Sequence, residues 1–142
     1  MRVLFICTGN TCRSPMAEFL ARSLYAGVEF SSAGLMAQAA QPANAAAKAV
    51  MAEIGLSLET HLARQVNESM LRKADTALTM TKEHCLRLRA LYPAWADKIA
   101  RLGDAAGDGR DVPDPWGGDL SEYRDCRRQI CEMLERMTTW HE

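Results

Sequence analysis

The chain has 142 residues, with 17 Lys and Arg against 18 Asp and Glu, and 48% of its residues are hydrophobic. This is the length of one domain, with enough apolar residues to build a core without disulfides or metal. The near-neutral charge does not indicate a nucleic-acid partner, and no apolar run is long enough to span a membrane. The five cysteines are odd in number and lack zinc-ligand spacing. We therefore expect reduced thiols in a cytoplasmic protein.

The first half of the chain predicts strands that alternate with helices. Residues 2–6, RVLFI, are a continuous apolar run typical of a parallel strand buried on both faces. Pro15 suits the first turn of a helix, and apolar residues follow it at helical spacing. A second strand is predicted over 28–34, and an alanine-rich helix over 42–54 is ended by Gly55.

The second half continues this alternation. Residues 71–80 pass from a short helix into a strand, residues 81–92 predict a helix, and residues 97–102 predict a last strand. Asp119 begins the final helix with a capping-box spacing. The apolar positions predicted on these two later helices are Leu86, Leu88, Leu91, Leu120, Tyr123, Ile130, Leu134 and Met137. The pattern predicts an α/β fold, a single domain over 1–142 with a parallel sheet covered by helices on both faces.

Residues 103–119, GDAAGDGRDVPDPWGGD, interrupt this pattern. They hold five of the nine glycines, two of the five prolines and five acidic residues against one arginine. We call this segment the acidic loop. A loop of this length inside a compact domain is typical of a lid or a wall of a functional site.

Residues 7–15, CTGNTCRSP, connect the first strand to the first helix. Ligands bind beyond the carboxyl ends of parallel strands, and Cys7 is predicted as the first residue past that end. The turn aims backbone N–H groups and the positive end of the helix dipole at one point, which suits an anion. Gly9 would allow close backbone approach, and the Arg13 guanidinium matches phosphate oxygens in a bidentate fashion. We call residues 7–14 the phosphate loop.

A thiol among those donors would be stabilised as a thiolate, which makes Cys7 a candidate nucleophile beneath a bound phosphorus atom. Ser14 can donate its hydroxyl proton to that thiolate. Asn10 can bond to the backbone of the turn and tolerates a left-handed conformation. The spacing of the cysteine and the arginine at a strand-to-helix turn thus predicts chemistry on a phosphate ester or amide.

Four segments resemble one known family, the low-molecular-weight protein tyrosine phosphatases. CTGNTCRSPMAE at 7–18 resembles the family's signature loop, and SSAG at 31–34 its Ser-Ala-Gly segment. HLARQV at 61–66 and DPWGG at 114–118 resemble its later motifs, in the same order. The resemblance covers nearly the whole chain. It implies a four-stranded parallel sheet flanked by helices and a cysteine-dependent protein phosphatase.

The resemblance also implies roles for individual residues. Cys7 would be the nucleophile that forms a phosphocysteine intermediate, Arg13 the phosphate clamp and Asp114 the general acid. Residues that bind phosphate or support the loop would be Thr8, Gly9, Asn10, Thr11, Cys12, Ser14, Ser32 and His61. Chemistry requires an acid because the leaving oxygen or nitrogen must be protonated as its bond to phosphorus breaks. Asp111 lies three residues earlier and is interpreted as a solvated charge.

Two residues would line the substrate pocket. Trp116 would stack on the substrate group at the pocket mouth. Tyrosine-specific relatives commonly carry a bulkier aliphatic residue such as Ile at the position of Thr11, whereas the Thr resembles the family's bacterial protein-arginine phosphatases. A hydroxyl there can accept a hydrogen bond from a guanidinium, so phosphoarginine is favoured over phosphotyrosine, and tyrosine phosphatase activity is the alternative.

The other four cysteines have separate predicted roles. Cys12 on its own is interpreted as a buried neighbour of the loop, whereas the resemblance implies that it could close a protective disulfide with Cys7 under peroxide. Cys85, Cys126 and Cys131 are interpreted as core residues. Arsenate reductase is a less favoured interpretation, because such enzymes need additional cysteines to pass a disulfide on from the active site, and this chain lacks a suitable pair. A non-catalytic module that binds phosphorylated ligands is also less favoured, because a pure binder would not need Asp114 as a general acid. We expect no cofactor and no metal, a phosphorylated protein as substrate, and a monomer or weak dimer.

Overall fold

The computed structural model describes residues 1–140 and contains a four-stranded parallel sheet with helices on both faces. The strands are β1 (Arg2–Cys7), β2 (Glu29–Gly34), β3 (Thr76–Thr79) and β4 (Ile99–Arg101). The helices are α1 (Arg13–Leu24), α2 (Ala45–Ala52), α3 (Glu68–Lys73), α4 (Lys82–Leu91), α5 (Leu102–Ala105) and α6 (Leu120–Glu135), with a 3₁₀ helix over Pro93–Lys98. The predicted α/β fold is confirmed.

The strand order β2-β1-β3-β4 places β1 in the middle of the sheet, with Cys7 opposite Gly34 at the end of β1. Side chains of β1 alternate between two cores, as a strand buried on both faces requires. Val3 and Phe5 face the core that includes α1 and α6, whereas Leu4 and Ile6 face the core that includes α3 and α4. Every residue from Val3 to Cys7 is buried, so the sheet holds the start of the phosphate loop rigidly.

Several boundaries differ from the sequence prediction. Cys7 is the last residue of β1, because it still pairs with Gly34, and not the first residue beyond the strand. The alanine-rich helix begins at Ala45, where Asn44 caps it by accepting hydrogen bonds from two backbone N–H groups, so residues 42–44 precede it. The acidic loop contains part of a short helix, α5, at its start.

The apolar pattern of α4 and α6 predicted more buried residues than these helices contain. Leu88 is buried, but Leu86 and Leu91 are 57% and 60% exposed, because α4 covers the sheet with only one narrow face, which also carries His84 and Cys85. Leu120 is 42% exposed at the first turn of α6. The predicted cap at Asp119 is confirmed, since its side chain accepts a hydrogen bond from the Glu122 N–H.

Candidate active site

The phosphate loop leaves β1, turns over the carboxyl end of the sheet and runs directly into α1. Asn10 lies at its centre with φ of 57°, the left-handed conformation expected for a short polar residue in such a turn. Gly9 has no such conformation, and a Cβ atom there would meet only the Thr11 Oγ1, at 3.7 Å. The glycine that permits close approach is Gly34, where a Cβ atom would lie 2.6 Å from the Thr8 carbonyl oxygen.

A cavity of about 250 Å³ opens above the phosphate loop. It brings together eight residues predicted for the site and one, Gln41, that was not predicted. Its lining consists of Cys7, Thr8, Gly9, Thr11, Cys12, Arg13, Gln41, Asp114 and Trp116. Trp116 is 74% exposed, and it forms part of the outer wall. The remaining predicted residues, Asn10, Ser14, Ser32 and His61, are buried and do not line this cavity.

Cys7 lines this cavity although it is buried, and its Sγ lies 2.9 Å from the Ser14 Oγ. Asn10 Nδ2 donates to the same Ser14 oxygen at 2.8 Å. Because that oxygen accepts from Asn10, the Ser14 hydrogen is left to donate to the Cys7 sulfur. The contact therefore stabilises a thiolate, the form of cysteine that acts as a nucleophile.

Asn10 is the centre of a buried hydrogen-bond network behind the loop. Its Nδ2 also donates to Ser32 Oγ at 2.9 Å, and its Oδ1 accepts from the Arg64 backbone N–H at 2.9 Å. The His61 Nε2–H donates to the Asn10 carbonyl oxygen at 2.7 Å. All polar atoms of the Asn10 side chain are thus bonded, which holds the left-handed turn in one conformation.

Glu18 extends this network and was not predicted. Ser32 Oγ donates to Glu18 Oε1 at 2.6 Å, and Arg22 Nη2 pairs with Glu18 Oε2 at 2.5 Å. The ion pair compensates the charge of a carboxylate that is only 6% exposed. Ser14, Glu18 and Arg22 recur every four residues on α1, which is the sequence signal that could have identified this face.

Arg13 connects the phosphate loop to the acidic loop. Its side chain is buried, and Nη1 donates to the Val112 carbonyl oxygen at 3.0 Å. Its Nη2 lies 3.7 Å from Asp114 Oδ2, while the other Asp114 oxygen accepts from the Trp116 N–H at 3.0 Å. The cation and the carboxyl group thus lie close together in the cavity that Cys7 also lines.

Asp111 is exposed, as predicted for a solvated charge, but its carboxylate also has fixed partners. Its carboxylate accepts hydrogen bonds from the Lys82 backbone N–H at 2.9 Å and from Arg101 Nη1 at 3.0 Å. The Lys82 N–H first, and the Arg101 charge after it, hold the pKa of Asp111 below its usual range. Gln129 Nε2 also donates to the Asp111 carbonyl oxygen. Asp111 therefore anchors the acidic loop, three residues before Asp114.

The other cysteines differ in their surroundings. Cys12 is buried, and burial raises the pKa of its thiol even though its Sγ lies 3.6 Å from the Tyr123 hydroxyl. Burial raises the pKa of Cys126 to about 12. Cys131 is only partly buried: it packs against the core from its edge, and its Sγ donates to Glu135. Within residues 1–140 all the cysteines are free thiols.

His84 is a further residue at the site that the sequence did not reveal. Its ring Nε2 lies 2.9 Å from the Thr8 Oγ1 on the wall of the cavity. The two residues are 76 positions apart, and α4 carries His84 to the loop only because β3 lies next to β1 in the sheet. No local pattern indicates this contact.

Residues 2–141 match the family described as low molecular weight phosphotyrosine protein phosphatase. The chain belongs to this family. It is a cysteine-dependent phosphatase of the family's fold and length. No helix within residues 1–140 has the length and apolar character needed to cross a membrane. Residues 1–140 also contain no group of three or more His, Cys, Asp or Glu side chains arranged to hold a metal ion.

The phosphatase is similar to relatives with two different named activities. It is 36% identical to the low molecular weight protein-tyrosine-phosphatase Wzb of Salmonella typhi over 135 residues, which cover 95% of this chain and 87% of that protein. It is also 36% identical to a protein-arginine-phosphatase of Geobacillus stearothermophilus over 138 residues, 96% of this chain and 93% of that protein. A solved structure of a low molecular weight protein tyrosine phosphatase from T. tengcongensis superposes with a TM-score of 0.92 at 37% identity, covering 96% of both chains.

Proposed function

We propose that the protein hydrolyses a phosphorylated side chain of a protein substrate through a phosphocysteine intermediate, with phosphoarginine preferred over phosphotyrosine. One observation carries the mechanism: Cys7, Arg13 and Asp114 line a single cavity of about 250 Å³. A nucleophile, a cation and a carboxyl group are the three elements that phosphoryl transfer to a thiolate requires.

In the first step the Cys7 thiolate attacks phosphorus, and the S–P bond forms as the P–O or P–N bond to the substrate breaks. Asp114 donates its proton to the departing oxygen or nitrogen. In the second step the Asp114 carboxylate removes a proton from water, which attacks phosphorus and breaks the S–P bond. Phosphate leaves, and the thiolate and the protonated Asp114 are restored. Arg13 and the loop N–H groups stabilise the phosphoryl oxygens in both steps.

The substrate preference rests on Thr11. Its side chain lines the cavity together with Trp116, so a group attached to the bound phosphorus would contact both. A guanidinium has N–H donors that the Thr11 hydroxyl can accept, whereas a phenyl ring offers none. Sequence identity does not decide between the substrates, because the tyrosine-phosphatase and arginine-phosphatase relatives are equally similar at 36%.

The experiment compares initial rates on phosphoarginine and phosphotyrosine peptides for the wild type and Thr11→Ile. We expect the wild type to prefer phosphoarginine and the substitution to reverse that preference. Thr139→Ile makes the same chemical change at an exposed position that does not line the cavity, and it should leave the preference unchanged. A wild type that already prefers phosphotyrosine would replace the arginine assignment with tyrosine phosphatase activity.

We further propose that the protein works in the cytoplasm, where its nucleophile stays reduced. Under peroxide, Cys7 would be oxidised to a sulfenic acid, and attack by the Cys12 sulfur would form a disulfide and release water. The placement of both thiols on the wall of one cavity supports this pairing. Mass spectrometry of peroxide-treated protein would detect the loss of two hydrogens in the wild type and not in Cys12→Ser.

A further inference from the structure

A buried histidine touches the wall of the cavity at a point that the proposed mechanism does not use. His84 is 6% exposed in the first turn of α4, and its Nε2 lies 2.9 Å from Thr8 Oγ1. Thr8 follows Cys7 directly, and its exposed side chain lines the cavity on which substrate would bind. A contact between a buried ring and an exposed hydroxyl fixes the orientation of that hydroxyl.

The imidazole of His84 is neutral at physiological pH. Burial first, and then the charges of Arg13 and Arg87, lower its pKa to about 4, although Asp111 and Asp114 act in the opposite direction. A neutral imidazole carries one N–H and one bare nitrogen, so only one of its two ring nitrogens can donate.

The hydrogen-bond network assigns the tautomer. His84 Nδ1 is buried and has no hydrogen-bond partner in residues 1–140. A buried N–H without a partner is rarer than an acceptor without one, so Nδ1 is the bare nitrogen and Nε2 carries the hydrogen. The Nε2–H therefore donates to Thr8 Oγ1. The Thr8 oxygen keeps a free lone pair, and its hydroxyl hydrogen remains available to a partner other than His84.

We propose that Thr8 sets substrate preference and that His84 is the positioning residue that holds the Thr8 hydroxyl toward the group attached to the bound phosphorus. This inference rests on the phosphatase chemistry proposed above. It adds a second hydroxyl to that of Thr11, since both residues line the cavity. The chemical class it recognises is a polar group with N–H donors, such as the guanidinium of phosphoarginine.

The physical reason is that a fixed hydroxyl discriminates better than a rotating one. A free threonine side chain would lose rotamer freedom when it bonds to substrate, whereas His84 has already selected the rotamer. A phenyl ring cannot donate to the Thr8 oxygen, and it would remove that oxygen from water without offering a hydrogen bond. The pair therefore penalises an aromatic leaving group and favours a guanidinium.

The test measures kcat/KM for phosphoarginine and phosphotyrosine peptides and follows their ratio. Thr8→Val removes the hydroxyl at nearly constant volume, and the loss of one neutral hydrogen bond predicts a ratio lowered by about three- to tenfold. Thr8→Ser keeps the hydroxyl and should keep the ratio. His84→Leu should lower the ratio as Thr8→Val does, whereas His84→Gln keeps an N–H near the Nε2 position and should preserve it.

The double variant Thr8→Val with His84→Leu separates positioning from a general structural role. If His84 acts through Thr8, the double variant has the same ratio as Thr8→Val alone. Equal losses on both substrates, or an unchanged ratio in Thr8→Val, would overturn the inference even if His84→Leu folds poorly.

Failure of this inference can be distinguished from failure of the proposed substrate preference. If the wild type prefers phosphotyrosine, the Thr11 argument fails, but the shift in ratio caused by Thr8→Val still decides the role of the pair. A wild type that hydrolyses neither peptide would overturn both proposals.

Discussion

The Ser14 hydroxyl lies 2.9 Å from the Cys7 sulfur, and the Asn10 amide determines where its proton points. The Asn10 Nδ2 donates a hydrogen bond to the Ser14 oxygen, and the Asn10 Oδ1 accepts one from the Arg64 N–H. The amide therefore cannot flip without breaking the hydrogen bond to Arg64. The serine is therefore a dedicated donor to the thiolate. Its effect should be largest when the thiolate forms as a leaving group.

Ser14→Ala should slow the breakdown of the phosphocysteine intermediate more than its formation. Loss of a hydrogen bond to a charged sulfur predicts a kcat lowered by about ten- to hundredfold. Because the intermediate would form faster than it breaks down, p-nitrophenyl phosphate should give an initial burst of nitrophenol, whose size measures the accumulated phosphocysteine. Ser23→Ala, on the same helix with its hydroxyl bonded to the Leu20 carbonyl, is the matched control. An unchanged kcat without a burst contradicts this role.

Cys7→Ser should abolish turnover and preserve phosphate binding. A hydroxyl in place of the thiol is a much weaker nucleophile, while Arg13 and the loop N–H groups that hold the anion are unchanged. Rate assays and calorimetric titration with inorganic phosphate measure the two properties separately. Cys131→Ser, at a partly buried thiol outside the cavity, should retain activity. Turnover by Cys7→Ser at the wild-type rate would refute the mechanism.

Asp114→Asn should lower kcat by about 10²- to 10⁴-fold on substrates with a basic leaving group, because the amide has no proton to donate. The loss should be smaller with p-nitrophenyl phosphate, whose leaving group departs without protonation. Asp111→Asn removes a carboxylate that anchors the acidic loop through Lys82 and Arg101. This control should lower thermal stability without changing the dependence on leaving group. The same dependence in both variants would show that Asp114 is not the acid.

Local patterns predicted the fold and the place of the phosphate loop, because both are encoded within single segments. A few consecutive residues are enough to predict the buried run of β1, the cap at Asp119 and the glycine-rich acidic loop. Apolar periodicity could not show that Leu86 faces solvent, since the width of the buried face depends on what packs against α4.

The supporting residues were harder to predict for a different reason. The contact between His84 and Thr8, and the chain from Asn10 through Ser32 to Glu18, join segments that are distant in sequence. Such contacts depend on strand order, which the sequence pattern leaves open. The resemblance to a family supplied Ser32 and His61, but it did not indicate Glu18 or His84.

Gly34→Ala should destabilise the protein and deform the phosphate loop. The new Cβ atom would lie 2.6 Å from the Thr8 carbonyl oxygen and 3.1 Å from the Asn10 nitrogen, so backbone must move. Overpacking of this kind costs about 1 to 3 kcal/mol in the free energy of unfolding, and kcat should fall with it. Gly9→Ala is the control for stability, because the nearest atom to its Cβ would be 3.7 Å away. Equal melting temperatures for the two variants would contradict the steric argument.

His84 should make stability depend on pH between about 6.5 and 4. The pKa of His84 is about 4 in the folded protein, against its ordinary value of 6.5. Within that window the unfolded chain binds a proton that the folded state rejects, so stability is lost as pH falls through it. A shift of this size corresponds to about 3 kcal/mol in the free energy of unfolding.

The charged groups around His84 require a difference measurement. Arg13, Arg87, Asp111 and Asp114 all act on its ring, and other carboxylates titrate in the same range. Urea unfolding of the wild type and His84→Gln at pH 6.5, 5.5 and 4.5 cancels the shared contributions. We expect the wild type to lose more stability than the variant at each step toward low pH, because glutamine binds no proton. If both proteins lost the same free energy of unfolding at each step, the pKa of His84 would not be lowered in the folded state.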